Sequence, residues 1–308
     1  MNIQQVNKEL TGAQSIVITT HKSPDGDAIG SSLGLYHFLK NRGLNVSVVV
    51  PDDFPEFLKW MTSCEQILNF EQEQNKVKKL IEKADFIFSL DYNALNRIGE
   101  LGELIQKTSA IKMVIDHHQN PQEFAHHYFV DTNCCSTAQL VYEFIDELKS
   151  TSEITKEIGE CLYCGIMTDT GSFRFPSTTA RTHQIIAEFI NLGVDGSKIH
   201  ERVYDTYSEH RLRLLGFALT EKMKVFPEIN AAYISLSQEE LKKFHFKKGD
   251  TEGLVNYPLS INGIKFSTLI TEKENEVSMS FRSKDDFYVN EFANKHFNGG
   301  GHIYAAGG

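Results

Sequence analysis

Ile111-Lys112-Met113-Val114-Ile115-Asp116-His117-His118 is a short apolar run that closes on an acid and two imidazoles. Upstream, the β-branched run Ser15-Ile16-Val17-Ile18-Thr19-Thr20 closes in the same way, on His21-Lys22-Ser23-Pro24-Asp25-Gly26-Asp27. Both clusters fall where a short buried strand stops. In an open α/β sheet the carboxyl ends of parallel strands form the ligand crevice, so two such clusters can converge on one site. Imidazole with carboxylate is a ligand set for a divalent transition metal.

Outward from these two runs, residues 28–40 carry apolar residues at helical spacing before Gly43, and residues 45–50 read as the next strand. Residues 85–90 and 111–115 are two further strands, each separated from its neighbour by helix-compatible sequence. Alternation of strand and helix predicts parallel βαβ units with right-handed crossovers. Helical patterns follow over 137–148, with Ser136 as N-cap, over 154–167 and over 179–192, where Gly193 stops the last. After a helix around 209–220 the composition turns to strands at 231–235, 264–271 and 277–281, and Asn262-Gly263 predicts a hairpin. The fold class is therefore α/β, a parallel sheet with helices on both faces, followed by a smaller α+β domain across an interdomain cleft. The expected boundaries are residues 1–194 for the metal-binding domain, 195–215 for a connector and 216–308 for the second domain.

A chain of 308 residues, 41% hydrophobic, is long enough for two cores. Its net charge of −10 argues against coating a long duplex nucleic acid and leaves room for a local basic groove. No apolar run approaches the ~20 residues of a membrane span, and no leader pattern is present, so a cytoplasmic protein without membrane contact is expected. Five cysteines suggest reduced thiols. Cys161-Leu162-Tyr163-Cys164 has the spacing of half a zinc site but lies within a helical pattern, which favours buried structural cysteines.

The chemistry-bearing positions follow the strands. Pro24 and Gly26 shape a turn that aims His21, Asp25 and Asp27 at one volume, and the helix that follows presents its N-terminus there. Asp91 ends the strand 85–90. Asp169, in Thr168-Asp169-Thr170-Gly171, reads on its own as a helix C-terminal turn residue. With His117 these make four carboxylates and two imidazoles, which suits two octahedral-leaning divalent ions better than one tetrahedral zinc. Mn²⁺ is the natural candidate, with Mg²⁺ or Co²⁺ as substitutes. Two ions ~3.5–4 Å apart lower the pKa of a shared water and neutralise charge on an in-line phosphoryl transition state. Asp116 and His118 are left to position a ligand or to touch substrate.

In these residues the chain resembles the DHH phosphoesterases, whose name-giving motif stands here as Asp116-His117-His118. His21-x-x-x-Asp25-x-Asp27, Asp91 and Asp169 look like the other three motifs of that family. Phe281-Arg282-Ser283 and Gly299-Gly300-Gly301-His302-x-x-Ala305-Ala306-Gly307 resemble its associated substrate-binding domain. The likeness is greatest to the group that trims very short RNAs and dephosphorylates 3′-phosphoadenosine 5′-phosphate (pAp). It implies that His21, Asp25 and Asp91 hold one Mn²⁺, that Asp27, Asp91, His117 and Asp169 hold the other, and that Asp91 bridges. It further implies that Arg97, His118, Arg282, Gly299, Gly300, Gly301 and His302 bind substrate phosphates, and that catalysis falls to the Asp91, Asp116, His117 and His118 set. Short single-stranded RNA or a small nucleotide is then the partner, with a homodimer as the default assembly. Chains of this kind usually continue past the glycine motif, so a further element is expected after Gly308. The rival readings are a cyclic-dinucleotide or pApA phosphodiesterase, a manganese pyrophosphatase and a catalytically silent nucleotide-binding protein.

Overall fold

The computed structural model describes residues 2–274 and 276–308, with the side chain of His302 outside the described set. The chain divides into two compact units, Met1–Asp205 and Thr206–Gly308. The division falls after a short helix, within the stretch where the sequence places a connector.

In the first unit the strands are β1 (Ile16–Thr20), β2 (Val46–Val50), β3 (Leu68–Asn69), β4 (Phe86–Leu90), β5 (Ile111–Asp116) and β6 (His127–Val130). They form one sheet in the order β3-β2-β1-β4-β5-β6, and every pairing is parallel. The helices are α1 (Ile3–Gly12), α2 (Gly26–Asn41), α3 (Phe70–Glu82), α4 (Glu100–Lys107), α5 (Thr137–Glu147), α6 (Lys156–Asp169), α7 (Ala180–Asn191) and α8 (Gly196–Tyr204). Every residue of β1 and β4 is buried, which explains why these strands read as continuous apolar runs and not as alternating patterns. The chain winds outward from β1 to β2 and β3, then returns to place β4 on the other side of β1. That reversal makes the β1/β4 boundary the switch point where an open sheet leaves a crevice at its carboxyl edge.

On one face, α2, α5 and α6 pack with the sheet into a large core that includes Ile29, Leu33, Phe88, Phe144 and Leu162. Helix α2 is buried on almost all sides, so it shows little amphipathic pattern. Its approach to α6 depends on small residues: a Cβ on Gly30 would stand 2.5 Å from the Cys161 carbonyl oxygen, and one on Gly165 would stand 2.9 Å from Asp27 Oδ1. The opposite face is covered by α3 and α4 through Val77, Ile81, Leu101 and Ile105. Cys161 and Cys164 are buried in α6, in keeping with a packing role.

The second unit carries α9 (Glu209–Phe217), α10 (Gln238–Lys243) and α11 (Val289–Phe297), with strands β7 (Met223–Phe226), β8 (Ala231–Leu236), β9 (Phe266–Glu272), β10 (Val277–Ser283), β11 (Gly300–His302) and β12 (Ala305–Gly307). The sheet order is β11-β12-β10-β9-β8-β7, and only β8 and β9 run parallel. This overturns the hairpin expected at Asn262-Gly263. The dipeptide is a turn, with Gly263 at φ +85° and the Ile264 amide donating to the Ile261 carbonyl, but a 3-10 helix (Leu254–Ser260) precedes it and no strand. Parallel neighbours need a crossover, so the turn only feeds β9. The hairpins lie elsewhere, between β7 and β8, between β9 and β10 and between β11 and β12.

Candidate metal centre

Four chain segments deliver the cluster, each for a local reason. Asp25 is the N-cap of α2, its Oδ1 accepting from the Asp27 and Ala28 amides at 3.0 Å each. The cap thereby fixes the turn that follows β1 and leaves His21 at its mouth. The Asp91 amide still donates to the Ile115 carbonyl, prolonging the β4 ladder, but its backbone then turns left-handed at φ +62°. Asp tolerates that conformation better than most residues, and a strained residue at a strand end is a common mark of a functional site. His117 and His118 follow β5 directly, and Asp169 is the last residue of α6.

These side chains meet at the carboxyl edge of the central strands. His21 Nε2 lies 3.8 Å from Asp25 Oδ1 and 3.4 Å from Asp91 Oδ2. His117 Nε2 lies 3.5 Å from Asp91 Oδ1, 3.5 Å from Asp169 Oδ2 and 3.8 Å from Asp27 Oδ2. The ligand atoms of His21, Asp25 and Asp91, and likewise those of Asp27, His117 and Asp169, all fall within 4.8 Å of one another. The two oxygens of Asp91 therefore face two different imidazoles. A third grouping joins Asp91, His117 and His118, but His118 Nδ1 is already 2.7 Å from Asp116 Oδ1.

The surroundings hold these groups in ligating form. His21 Nδ1 donates to the Lys22 carbonyl at 2.8 Å and His117 Nδ1 to the Cys134 carbonyl at 3.2 Å, which turns each Nε2 lone pair toward the carboxylates. Asp27 accepts from the Thr137 and Ala138 amides at 2.6 and 2.8 Å, the free N–H groups of the first turn of α5. Thr137 Oγ1 donates to Asp91 Oδ1 at 3.0 Å. No sequence reading pointed to Thr137. Its only signal was its place one residue after the expected cap Ser136, whose hydroxyl does cap α5.

Without a cation the cluster is electrostatically frustrated. Burial and the Asp91 and Asp169 carboxylates push Asp27 well above the usual carboxylate range, against the pull of His117. Burial raises Asp169 to about 7, only partly offset by His117. Burial would lower His21, but hydrogen bonding to Asp25 and Asp91 outweighs it and raises the imidazole to about 10. For Asp91, burial opposes ionisation, yet His117 and His21 pull it well below its ordinary value. Crowded buried carboxylates that borrow protons from one another and from imidazoles are the donor set a divalent cation satisfies.

The other expected residues are less closely tied. Arg97 lies in a 3-10 turn (Leu95–Ile98), not at a helix start, and its carbonyl accepts from the Lys22 amide at 3.0 Å, stitching the loop after β4 to the loop after β1. Arg282 is the penultimate residue of β10, its Nη1 donating to the Phe281 carbonyl at 2.9 Å. Gly299 and Gly301 have a structural reason to be small, whereas a Cβ on Gly300 would meet nothing: a Cβ on Gly299 would stand 1.9 Å from the Gly307 carbonyl oxygen, and one on Gly301 2.5 Å from that of Ala305. Strand β11 is the sheet edge, and the antiparallel alternation leaves the Gly301 amide pointing away from β12. The His302 side chain lies outside the described residues.

An all-parallel switch-point sheet with Asp and His clusters at its carboxyl edge is a site fit to hold divalent cations. The chain belongs to the DHH family: residues 15–166 match its N-terminal domain and residues 229–308 the DHHA1 domain. The bifunctional oligoribonuclease and PAP phosphatase NrnA of Thermus thermophilus is 32% identical over 305 residues, covering 99% of this chain and 86% of its own. The protein of the same name from Bacillus subtilis is 28% identical over 295 residues, covering 95% and 88%. The crystal structure of an exopolyphosphatase-related protein from Bacteroides fragilis superposes with a TM-score of 0.94 at 45% identity, covering 99% of this chain and 90% of that one. Among the described residues no helix is long and apolar enough to cross a membrane.

Proposed function

We propose that this protein is a manganese-dependent hydrolase that releases mononucleotides from very short RNAs and removes the 3′-phosphate of pAp. The observation that carries the reading is the placement of Asp91, whose two oxygens lie 3.4 Å from His21 and 3.5 Å from His117. One carboxylate is thus shared by two ligand sets, His21 and Asp25 on one side and Asp27, His117 and Asp169 on the other. Two divalent ions bound there would supply Lewis acidity and a water of lowered pKa. Mg²⁺ or Co²⁺ would serve less well than Mn²⁺ in this reading. The relatives named as oligoribonuclease and PAP phosphatase support the substrate class.

The chain's own residues do the remaining work. Asp25 and the α5 amides fix the carboxylates before substrate arrives, so little reorganisation accompanies the reaction. Asp116 accepts from His118 Nδ1 and so fixes the ring; an imidazolium there would donate from Nε2 to a phosphoryl oxygen. Arg97 neutralises a phosphate near the loop after β1. In the second unit, Arg282, the Gly299–Gly301 backbone and His302 are the groups proposed to hold a substrate phosphate.

The test is release of phosphate and AMP from pAp, a short RNA, pApA, cyclic di-AMP and pyrophosphate by the Mn²⁺-loaded protein, with Asp91→Asn as control. Metal-dependent AMP formation from pAp or short RNA is expected. Turnover confined to cyclic di-AMP, pApA or pyrophosphate would sink the substrate assignment while keeping the metal centre.

A further inference from the structure

The segment 134–138 is the back wall of the metal cluster. The Cys134 carbonyl accepts from His117 Nδ1, the Thr137 and Ala138 amides hold Asp27, and the Thr137 hydroxyl holds Asp91. The same segment carries two adjacent thiols, Cys134 and Cys135, which hydrogen-bond each other. Both line a cavity of about 510 Å³ whose lining includes none of the metal-site residues, together with Gln139, Thr179 and Arg181. Cys134 is partly exposed, and Cys135 is buried beneath it with its Sγ donating to Gln139 Oε1 at 3.1 Å. Neither thiol has a part in the phosphoryl chemistry. A cysteine pair in mutual contact, reachable from a cavity and one peptide bond from the acceptor of a metal-ligating histidine, is a poor choice for mere packing.

We propose that Cys134 and Cys135 form a thiol-modification site for small hydroperoxides, and that the resulting disulfide between adjacent residues loosens His117. Cys135, which lines the cavity and is held in the more ionisable form by the Cys134 thiol that donates to it, attacks the peroxide: the O–O bond breaks, an S–O bond forms to give Cys135–SOH, and ROOH leaves as ROH after taking the thiol proton. The Cys134 thiol then attacks the oxidised sulfur, an S–S bond forms, and the S–O bond breaks with release of water. Two electrons pass from the sulfurs to the peroxide and the equation balances. Closing a ring across one peptide bond turns the Cys134–Cys135 peptide, and the Cys134 carbonyl turns with it. His117 then loses the acceptor that fixes its tautomer and its aim. This coupling rests on the metal-centre reading above; the thiol chemistry does not.

The experiment uses the full chain loaded with Mn²⁺, treated with tert-butyl hydroperoxide and freed of excess reagent. The expected product has lost the mass of two hydrogens and two of its five titratable thiols, with the bond mapped to 134–135. Its metal dissociation constant rises about tenfold or more, the usual cost of losing a partner behind a metal-ligating histidine. Dithiothreitol restores thiols and metal affinity together, which excludes irreversible damage. Cys135→Ser, whose side chain lies outside the metal machinery, is expected to bind metal as the parent does and to show neither cross-link nor peroxide-induced metal loss. Persistence of all five thiols, a bond mapped to Cys161–Cys164, or a 134–135 bond that leaves metal affinity unchanged would each overturn the proposal. Failure of the untreated chain to bind any divalent ion would sink the metal-centre reading alone, because mass and thiol count still decide the modification.

Discussion

The two six-stranded sheets of this protein put their chemistry in different places. In the parallel sheet every strand points the same way, so the loops after β1, β4 and β5 arrive at one edge and their acids and imidazoles collect in a single buried cluster. In the mixed sheet neighbouring strands mostly run in opposite directions, strand ends do not gather, and what it offers is an edge, the glycine strand β11, with Arg282 two strands in. Parallel topology concentrates charge that a cation must then balance; antiparallel topology exposes backbone donors that suit an anion. Under the proposed function, metal belongs to the first unit and substrate to the second.

Asp91→Asn strikes this division hardest. The amide keeps the shape and tolerates the left-handed backbone, but it removes the one carboxylate shared by both ligand sets. Turnover should fall by more than about a hundredfold, with metal content reduced in step. Near-normal metal content with near-normal turnover would show that the two clusters work independently. Gly165→Ala attacks the same cluster from outside, since the new Cβ would sit 2.6 Å from the Ala138 Cβ and 2.9 Å from Asp27 Oδ1. Overpacking of this kind costs about 1–3 kcal/mol and, at about 2–4 °C per kcal/mol for the larger domains, lowers the melting temperature of the first unit measurably. A stable variant that nonetheless loses metal would separate ligand displacement from destabilisation.

Proton competition sharpens the picture of the first unit. In the metal-free cluster Asp169 sits near 7 and His21 near 10, so at neutral pH both carry protons wholly or in part. Each must shed its proton before it can ligate. Metal affinity should therefore weaken as pH falls through 7, by up to about tenfold per unit for each proton released. Calorimetry in buffers of different ionisation enthalpy checks the sign, and metal uptake without proton release would contradict it.

The legible parts of this molecule share one property: the residues that matter lie within a few positions of a hydrophobic strand. His21, Asp25, Asp27, Asp91 and His117 could be placed because β1, β4 and β5 are buried on both faces and read as mostly apolar runs without polar alternation. Strand β3 escaped because it has only two residues, and β6 because none of its four is fully buried, so neither leaves a pattern. Asn262-Gly263 misled because the turn chemistry is real while the flanking Ile261 belongs to a turn and not to a strand. A dipeptide specifies local backbone, not the direction of the next pairing. Thr137 was illegible for a different reason: its hydroxyl bond to Asp91 spans 46 residues of chain.

Thr137 is also where a modest effect is most telling. Thr137→Val preserves shape and burial and deletes only the 3.0 Å hydrogen bond to Asp91 Oδ1, whereas Thr137→Ser keeps it. If the hydroxyl aims the shared carboxylate, the valine variant should lose about tenfold in metal affinity and the serine variant should recover most of it. Substrate KM at saturating metal should barely move in either, because Thr137 reaches a ligand and not the nucleotide. Arg282→Ala should give the mirror image, a several-fold rise in KM with metal affinity intact. Both variants shifting metal affinity alike would erase the contrast between a sheet that gathers cations and a sheet that presents donors. Opposite patterns would tie each half of the chemistry to the strand directions that produce it.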